Sequence, residues 1–358
     1  MQKGLPPQDI LYITEKKYNE FKAKYGVPQI NDLLITAVGT LGNVYRIPDD
    51  NKFYFKDGNL IWLRDVSEYS EYLEQLLHFK TRDLLKTSIG STQKALTMVE
   101  LKKIKFNFPT LPEQQKIANF LTAVDTKLEQ LASKKTLLEQ YKKGVMQQIF
   151  SQELRFTRED GSSYPDWEEK KLGDLTSLIT KGTTPTSLGF SYLKKGVNFI
   201  KAENISSTFY IDIDSTPKIS SECNEALKRS QLKEDDILFS IAGTLGRTAI
   251  VKSKDLPANT NQALAILRLD KDVNNIYINY VLNSRSIVKR ISQLLSVGAQ
   301  PNLSLEQTGS FKIPYPCFEE QTQIANFLSA IDAKIALVDT QIDGTMNFKK
   351  GLLQQMFV

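Results

Sequence analysis

One long segment occurs twice in the 358-residue chain, and this repeat limits the possible folds more than any other feature. Residues 113–150 (EQQKIANFLTAVDTKLEQLASKKTLLEQYKKGVMQQIF) recur as residues 320–357, with a constant offset of 207 residues and 16 identities in 38 aligned positions. Apolar residues in both copies are spaced by three, four or seven positions, which is typical of a helix with one narrow apolar seam. Neither copy contains proline, and acidic residues stand at both starts. The repeat therefore predicts two unusually long helices.

The two predicted seams are suited to packing against each other. Each helix would be far longer than the usual ~11–12 residues, and an isolated domain rarely offers so long a surface. We therefore predict an intramolecular antiparallel coiled coil, with Lys142 and Lys349 at the same heptad position, where lysines cost stability and can set the register. The alternative is two independent amphipathic helices, each lying on its own domain. The predicted seam residues are Ile117, Leu121, Val124, Leu128, Leu131, Leu138, Val145, Ile324, Leu328, Ile331, Ile335, Val338, Ile342 and Leu352.

The repeat also includes the regions that precede the helices. Residues 32–47 (DLLITAVGTLGNVYRI) match residues 236–251 (DILFSIAGTLGRTAIV), and in both copies G-T-L-G lies between two short β-rich runs. Residues 69–85 and 276–291 have helical apolar spacing, whereas the runs around G-T-L-G are predicted to be strands. We expect a tandem duplication of a strand-rich mixed α/β domain followed by a long helix, which is an α+β protein overall.

The two copies differ in the region before G-T-L-G. The second copy opens near Trp167, 76 residues before Gly243, whereas only 38 residues precede Gly39. The first domain therefore has no counterpart of residues 167–203 and is expected to be N-terminally truncated. The predicted boundaries are a first domain at 1–109, a first spacer helix at 110–150, a linker or exposed hairpin at 151–166, a second domain at 167–316 and a second spacer helix at 317–358.

Composition excludes several classes of function. The chain has one histidine, His78, and its two cysteines lack ligand spacing, which rules out histidine metal clusters and most histidine-based catalysis and favours a reducing cytoplasm. No run of 18 apolar residues and no signal peptide are found. No P-loop, G-x-G-x-x-G or adenine-methylase motif is present, so we predict that this chain is not an enzyme and binds no metal or cofactor.

Polar and basic residues in the loops are candidates for contacts with DNA. The net charge of +5 is mildly basic, and lysine, arginine and amide side chains are the groups that contact phosphates and base edges. Arg247 follows G-T-L-G in the second copy, where Asn43 stands in the first, so the two domains are expected to recognise different sequences. The alternative is that these residues lie in solvated loops and tight glycine turns. The candidates are Lys181, Thr183, Lys201, Asn204, Thr244, Arg247, Asn261, Gln262, Gln300, Thr40, Asn43 and Gln93.

The combined pattern resembles the specificity subunit of type I restriction-modification systems. The residues that carry the resemblance are P-x-x-x-E-Q…I-A-x-F-L at 109–121 and 316–328, the two G-T-L-G loops, and Trp167 with K-L-G-D at 171–174. It covers nearly the whole chain. The resemblance implies two target-recognition domains in inverted orientation, separated by an antiparallel coiled coil, each reading one half of a bipartite sequence in double-stranded DNA.

The resemblance also implies partners and cofactors. The subunit would recruit two methylation subunits, which use S-adenosylmethionine, and two restriction subunits, which use ATP and Mg. None of these cofactors would be bound by this chain. Two other functions stay open: a stand-alone two-armed DNA-binding regulator, and a coiled-coil scaffold whose arms bind proteins.

Overall fold

The structure is a computed structural model that describes residues 11–55, 58–86, 95–206, 209–297 and 302–357. The chain divides into two compact units: Unit 1 combines residues 1–134 with residues 338–358, and Unit 2 contains residues 135–337. Each unit contains a strand-rich domain of mixed α/β structure and part of both long helices, so the predicted fold class is confirmed.

Unit 1 is built around a three-stranded antiparallel sheet. Its elements are α1 (Glu15–Tyr25), β1 (Leu33–Thr36), β2 (Val44–Arg46), β3 (Leu60–Leu63), α2 (Ser70–Phe79), α3 (Thr81–Lys86), α4 (Met98–Leu101) and the first part of α5 (Leu111–Phe150). Strand β1 is central, with Leu33 opposite both Arg46 and Leu63. All four residues of β1 are buried because the strand has partners on both sides and α2 packs in the same core.

Unit 2 begins within α5 and contains the larger domain. Its further elements are β4 (Glu168–Lys171), β5 (Thr176–Lys181), β6 (Val197–Ile200), β7 (Lys218–Ile219), α6 (Ser221–Ala226), β8 (Ile237–Ser240), β9 (Thr248–Ile250), β10 (Ala258–Thr260), β11 (Leu264–Leu269), α7 (Asn275–Leu282), α8 (Arg285–Val297), α9 (Leu305–Gly309), β12 (Lys312–Tyr315) and the first part of α10 (Phe318–Met356). The strands form sheets in the orders β5-β11-β8-β9, β10-β6-β7 and β12-β4.

The sheets of the two units reflect the sequence repeat. Strands β1, β2 and β3 correspond to β8, β9 and β11, and in both sheets the first and third of these pair antiparallel. Among the described residues of Unit 1, no strand corresponds to β4 or β5. The duplicated core is therefore the hairpin around G-T-L-G with one further strand.

A buried glutamine holds the first turn of each long helix. In Unit 1, Gln114 accepts a hydrogen bond from the backbone N–H of Tyr69 at 2.9 Å and donates one to the carbonyl oxygen of Pro109 at 2.9 Å. In Unit 2, Gln321 accepts from the backbone N–H of Asn274 at 3.1 Å and donates to the proline carbonyl five residues earlier at 2.9 Å. Both amides therefore join the helix start to the loop that precedes α2 or α7.

The helices run antiparallel. In Unit 1, residues near the start of α5 contact residues near the end of α10, as in the pair of Phe120 and Phe348 rings at 6.3 Å. In Unit 2, Val145 and Ile149 near the end of α5 pack in one cluster with Ile324 near the start of α10. Every predicted seam residue is buried or half-buried, whereas the residues between them are mostly exposed.

In Unit 1, an ion pair lies at the edge of the helix seam. The ammonium of Lys349 on α10 binds the carboxylate of Asp125 on α5. The same carboxylate accepts a hydrogen bond from the side-chain amide of Gln75 on α2, at 3.1 Å. Asp125 therefore joins both long helices to a helix of the domain.

Unit 2 repeats this arrangement with the equivalent residues. Lys142 on α5 binds Asp332 on α10 at 2.6 Å, and the hydroxyl of Tyr280 on α7 donates to Asp332 at 2.6 Å. The ammonium of Lys142 also lies 4.9 Å from the ring centroid of Phe209. Burial, followed by the hydrogen bond to Asp332, raises the pKa of Tyr280, so that its hydroxyl remains a neutral donor.

Two predicted helices are each divided in the structure. The segment 69–85 forms α2 and α3, and the segment 276–291 forms α7 and the beginning of α8. After α7 ends at Leu282, the side-chain amide of Asn283 donates to the Thr248 hydroxyl at 2.6 Å and to the Asn279 carbonyl at 2.7 Å. Apolar spacing continues across such a break, so the spacing alone predicts a single helix.

The segment between α5 and the second domain, predicted as a linker or an exposed hairpin, is a hairpin held against α10. Thr157 and Ser163 form a β-bridge across it. The guanidinium of Arg155 binds the carboxylate of Glu320 at 3.2 and 3.0 Å. Loss of either partner from this ion pair would be costly, because Glu320 is fully buried and would keep an uncompensated charge.

We expect Asp332→Asn to lower the free energy of unfolding by about 1–3 kcal/mol, because the Lys142 side chain, only 14% exposed, would lose its charged partner. Asp343→Asn, an exposed position on the same helix, removes the same charge and should leave stability almost unchanged. Urea denaturation followed by circular dichroism compares the two variants. Equal losses would contradict a special role for the Asp332 ion pair.

Candidate nucleic-acid interface

Four loops of Unit 2 lie at one end of its sheets, and we call them the loop edge: residues 181–184, 201–205, 241–247 and 261–263. Strand β11 lies between β5 and β8, with Ala265 opposite Lys181 and Leu264 opposite Ser240. The ends of β5 and β8 and the start of β11 therefore meet at the same end of the sheet.

The second sheet adds two of these loops. Strands β6 and β10 are parallel, with Thr260 opposite Ile200, and the Thr260 hydroxyl donates to the Ile200 carbonyl at 2.7 Å. The chain therefore leaves both strands side by side, at Lys201 and at Asn261. Because β10 leads directly into β11, the same turn belongs to both sheets.

Gly182 allows β5 to approach this turn closely. A Cβ atom at Gly182 would lie 1.8 Å from the backbone oxygen of Thr260, a distance that no side chain tolerates. The Gly182 N–H donates to the Asn261 carbonyl at 3.1 Å, and the Thr184 hydroxyl donates to the Gln262 side-chain oxygen at 2.6 Å. Four polar side chains, from residues 183, 184, 261 and 262, are thereby gathered around one glycine.

Four cationic side chains lie in or beside the loops of this edge. Lys181 is exposed, and exposed Arg229 donates to the Lys181 carbonyl and to the Thr183 hydroxyl, both at 3.4 Å. Arg247 is half-buried and donates to the carbonyl of Ile205 at 3.2 Å. These partners of the arginines are neutral oxygen atoms, so the charges of both guanidinium groups are not cancelled there.

Lys201 is the fourth cation, and an aromatic ring holds its side chain. Its ammonium lies 5.0 Å from the ring centroid of Tyr192 and 3.7 Å from the carboxylate of Glu203. Such a cation–π contact limits the freedom of a long side chain while leaving its charge intact. Burial is the largest cause that raises the pKa of Tyr192, so the ring remains neutral at ordinary pH.

Asn204, also predicted from sequence to contact DNA, lies inside the fold and is only 4% exposed. Its side-chain oxygen accepts from the backbone N–H of Lys201 at 2.8 Å, and its amide donates to the Ser215 hydroxyl at 3.0 Å. This placement favours a structural role, in which Asn204 shapes the turn that carries Lys201.

The G-T-L-G loops are built in the same way in the two units. In Unit 2, the Ser240 hydroxyl donates to the Thr244 carbonyl at 2.6 Å and accepts from the Arg247 N–H at 2.7 Å. In Unit 1, Thr36 makes the equivalent bonds to the carbonyl of Thr40 and the N–H of Asn43. All four loop glycines have positive φ, between 74° and 81°, which explains why glycine stands there. Thr40 and Thr244 are exposed at the tips.

Sequence reasoning did not include Arg229 or Tyr192 among the candidates. Arg229 comes from a loop 46 residues beyond Thr183, and neither residue belongs to a repeated motif. Only the folded chain brings them to the loop edge. Gln93 and Gln300, also predicted to contact DNA, lie outside the described residues.

Within the described ranges, no group of three or more histidine, cysteine or acidic residues is arranged to hold a metal ion. The same part of the chain contains no helix that is long and apolar enough to cross a membrane. The groups that the loop edge presents are the cationic, amide and hydroxyl side chains described above.

Known proteins are similar to this chain over most of its length. The profile of the type I restriction modification DNA specificity domain matches residues 4–140 and 164–344. A Methanocaldococcus jannaschii protein, provisionally named the type I restriction enzyme MjaX specificity subunit, is 27% identical over 96% of this chain and 80% of its own length. The EcoBI specificity subunit of Escherichia coli is 26% identical over 74% of this chain and 59% of its own length.

Two solved structures have a similar fold. The S subunit of a type I restriction-modification system from M. genitalium superimposes with a TM-score of 0.60 at 19% identity, covering 92% of this chain and 83% of its own. A chain from a study of the assembly and conformational transition of the type I system gives a TM-score of 0.58 at 19% identity, covering 92% and 82%. The resemblance stated from the repeated motifs is thereby confirmed.

We expect Gly182→Ala to lower the free energy of unfolding by about 1–3 kcal/mol, because the added methyl group forces β5 away from the Thr260 backbone. Gly144→Ala is the matched control: Gly144 lies in α5 with open space around it, and alanine should stabilise that helix by up to about 1 kcal/mol. Chemical denaturation measures both changes. Wild-type stability of Gly182→Ala would show that the close approach is not needed.

Proposed function

Because the chain belongs to the type I restriction modification DNA specificity family, we propose that it recognises a DNA sequence for a type I restriction-modification complex and catalyses no reaction itself. The observation that carries this proposal is the loop edge, where cationic side chains and a cluster of amides and hydroxyls lie at the same end of the sheets. Lysine and arginine contact phosphates, and amides read base edges by hydrogen bonding. This combination suits a sequence-reading surface.

The target in this proposal is bipartite. The two domains share a scaffold but differ at equivalent loop positions, with Arg247 in one and Asn43 in the other. Each domain would read one half-site, and the two long helices would set the length of the unread spacer between them. Joining two weak readers raises the overall affinity, because binding of the first places the second at a high local concentration.

Catalysis would belong to partner subunits. Two methylation subunits would use S-adenosylmethionine, and two restriction subunits would use ATP and Mg, all within the cytoplasm. The chain itself would supply sequence recognition and the surfaces on which these subunits assemble. A stand-alone DNA-binding regulator would instead bind its site fully without such partners.

We expect Arg229→Ala to weaken the binding of duplex DNA and to reduce the slope of log affinity against log salt by about 0.9, as for the loss of one phosphate contact. Lys271→Ala is the matched control, because Lys271 is exposed just beyond the opposite end of β11 and carries the same charge. Fluorescence anisotropy with labelled DNA at several salt concentrations measures both slopes.

A further variant separates charge from loop structure in this experiment. Arg229→Lys keeps the charge and should keep most of the salt dependence, even though it loses the two bonds to Lys181 and Thr183. If Arg229→Ala and Lys271→Ala reduce the slope equally, the loop edge is not the DNA-binding surface.

We expect an added heptad in both long helices to abolish methylation of the natural target, or to shift methylation to DNA sites whose half-sites are separated by a longer spacer. Seven residues would be inserted between Asp125 and Lys142 and seven between Asp332 and Lys349, so that both ion pairs and the apolar period are kept. The helices would lengthen by ~10.5 Å, about three base pairs of B-DNA. Methylome sequencing of cells that express the variant with its methylation subunit gives the spacer.

An insertion in α5 alone serves as the control, because it breaks the register and should abolish assembly. Full methylation at an unchanged spacer by the double insertion would disprove the idea that the helices measure the distance between half-sites.

A further inference from the structure

A groove in Unit 1 has a counterpart in Unit 2 that is filled by the chain itself. Residues 105–109 correspond to residues 312–316 by the same offset of 207 residues that relates the long helices. Glu113 and Glu320 are also related by this offset, and each is the glutamate of the motif P-x-x-x-E-Q. The two sites can therefore be compared residue by residue.

In Unit 2, strand β4 and side chains of the segment that precedes and contains it fill the site. Strand β4 pairs antiparallel with β12, from Lys312 opposite Lys171 to Tyr315 opposite Glu168. The ammonium of Lys170 lies 4.1 Å from the ring centroid of Tyr315. The segment is thus held by main-chain bonds and by a cation over an aromatic ring.

Glu320 is the polar anchor of this segment. Its carboxylate accepts a hydrogen bond from the indole N–H of Trp167 at 2.8 Å and two bonds from the guanidinium of Arg155. Glu320 is fully buried as a result. A carboxylate can be buried at low cost only when it has such partners. The tryptophan and the arginine are therefore required for Glu320 to be buried.

In Unit 1, no strand of the described residues pairs with the equivalent segment. Lys105 to Phe108 make no backbone hydrogen bond with any described residue, and Glu113 is exposed, with no ion pair to the described part of the chain. A groove of about 590 Å³ runs beside them, and its lining includes the aromatic rings of Tyr72, Phe106, Phe108 and Phe357. We call this the open groove.

The apolar side chains of the long helices next to the two sites are also more exposed in Unit 1 than in Unit 2. Ile117 is half-buried and Phe120 is 43% exposed, whereas their equivalents Ile324 and Phe327 are fully buried and half-buried. The ring of Phe327 packs edge-on against Phe156 of the covering segment, at 5.5 Å between centroids. Equivalent apolar side chains are therefore left partly in water in Unit 1.

We propose that the open groove is the docking site for an extended segment of a partner protein. The segment adds a strand beside Lys105–Phe108 and places a tryptophan indole and an arginine guanidinium on Glu113. Main-chain bonds to an unpaired segment supply affinity in this mode of binding, and side-chain pockets supply specificity. The acidic Glu113 selects a segment with cationic side chains, as its equivalent does in Unit 2.

This inference goes beyond DNA recognition and does not depend on it. The open groove lies in Unit 1, whereas the loop edge lies in Unit 2, and they share no residue. Loss of segment binding and loss of DNA binding are therefore separate results.

The test uses the full chain and a labelled synthetic peptide with the sequence of residues 153–173, the segment that fills the site in Unit 2. We expect saturable binding of one peptide per chain, measured by fluorescence anisotropy. Glu113→Ala should weaken it at least tenfold, and a peptide with Trp167→Ala should bind at least tenfold more weakly to the unchanged protein. Glu129→Ala, an exposed glutamate elsewhere on α5, is the matched control and should bind the original peptide normally.

Thermal unfolding and DNA affinity of Glu113→Ala should remain those of the unchanged protein, because Glu113 is exposed and distant in sequence from the loop edge. Peptide binding that is insensitive to Glu113→Ala would mean exchange with the chain's own segment in Unit 2 and would overturn the proposal. Absence of binding would also overturn it. A dimer that is detected by sedimentation and lost in Glu113→Ala would overturn it as well, because the groove would then be occupied by a second copy of this chain.

Discussion

The ion pairs between the long helices are the interaction on which the rest of the structure depends. A lysine at the edge of an apolar seam costs free energy unless a carboxylate meets it, and each lysine here meets an aspartate on the other helix. Sliding one helix by a heptad would separate both pairs and leave two partly buried ammonium groups without partners. The apolar residues alone allow several registers, because leucine, isoleucine and valine recur at most positions of the seam.

The same aspartates connect the helices to the domains. Asp125 accepts a further hydrogen bond from Gln75, and Asp332 accepts one from Tyr280. The buried side chains of Gln114 and Gln321 hold the first turn of each long helix against the loop that precedes α2 or α7. The orientation of each domain on its helices is thus set by a few polar bonds repeated in both halves. Residues outside these repeated contacts, such as the loop-edge residues, are free to differ, as the proposed reading of a different half-site by each domain would require.

Glu113 and Glu320 show how far identical sequence can differ in environment. Both belong to the same motif and lie in the first turns of two equivalent helices, α5 and α10, yet Glu113 is exposed and Glu320 is fully buried beneath Trp167 and Arg155. The difference comes from a segment that is far from either glutamate in the linear chain. The local sequence therefore places a glutamate at the start of each helix, and a segment distant in the sequence determines whether its carboxylate is buried.

The sequence by itself determined the duplication, the two long helices, their seam, and the glycine turns, because each depends on spacing or backbone conformation that is local to the chain. The breaks after Phe79 and Leu282 could not be predicted, because apolar spacing continues across them. At the second break, the Asn283 side chain binds the Thr248 hydroxyl, 35 residues away in the chain. Only the tertiary structure decided that Asn204 is buried, that Arg229 joins the loop edge, and that one of two equivalent glutamates is covered. These outcomes depend on contacts between residues dozens of positions apart, which no local pattern contains.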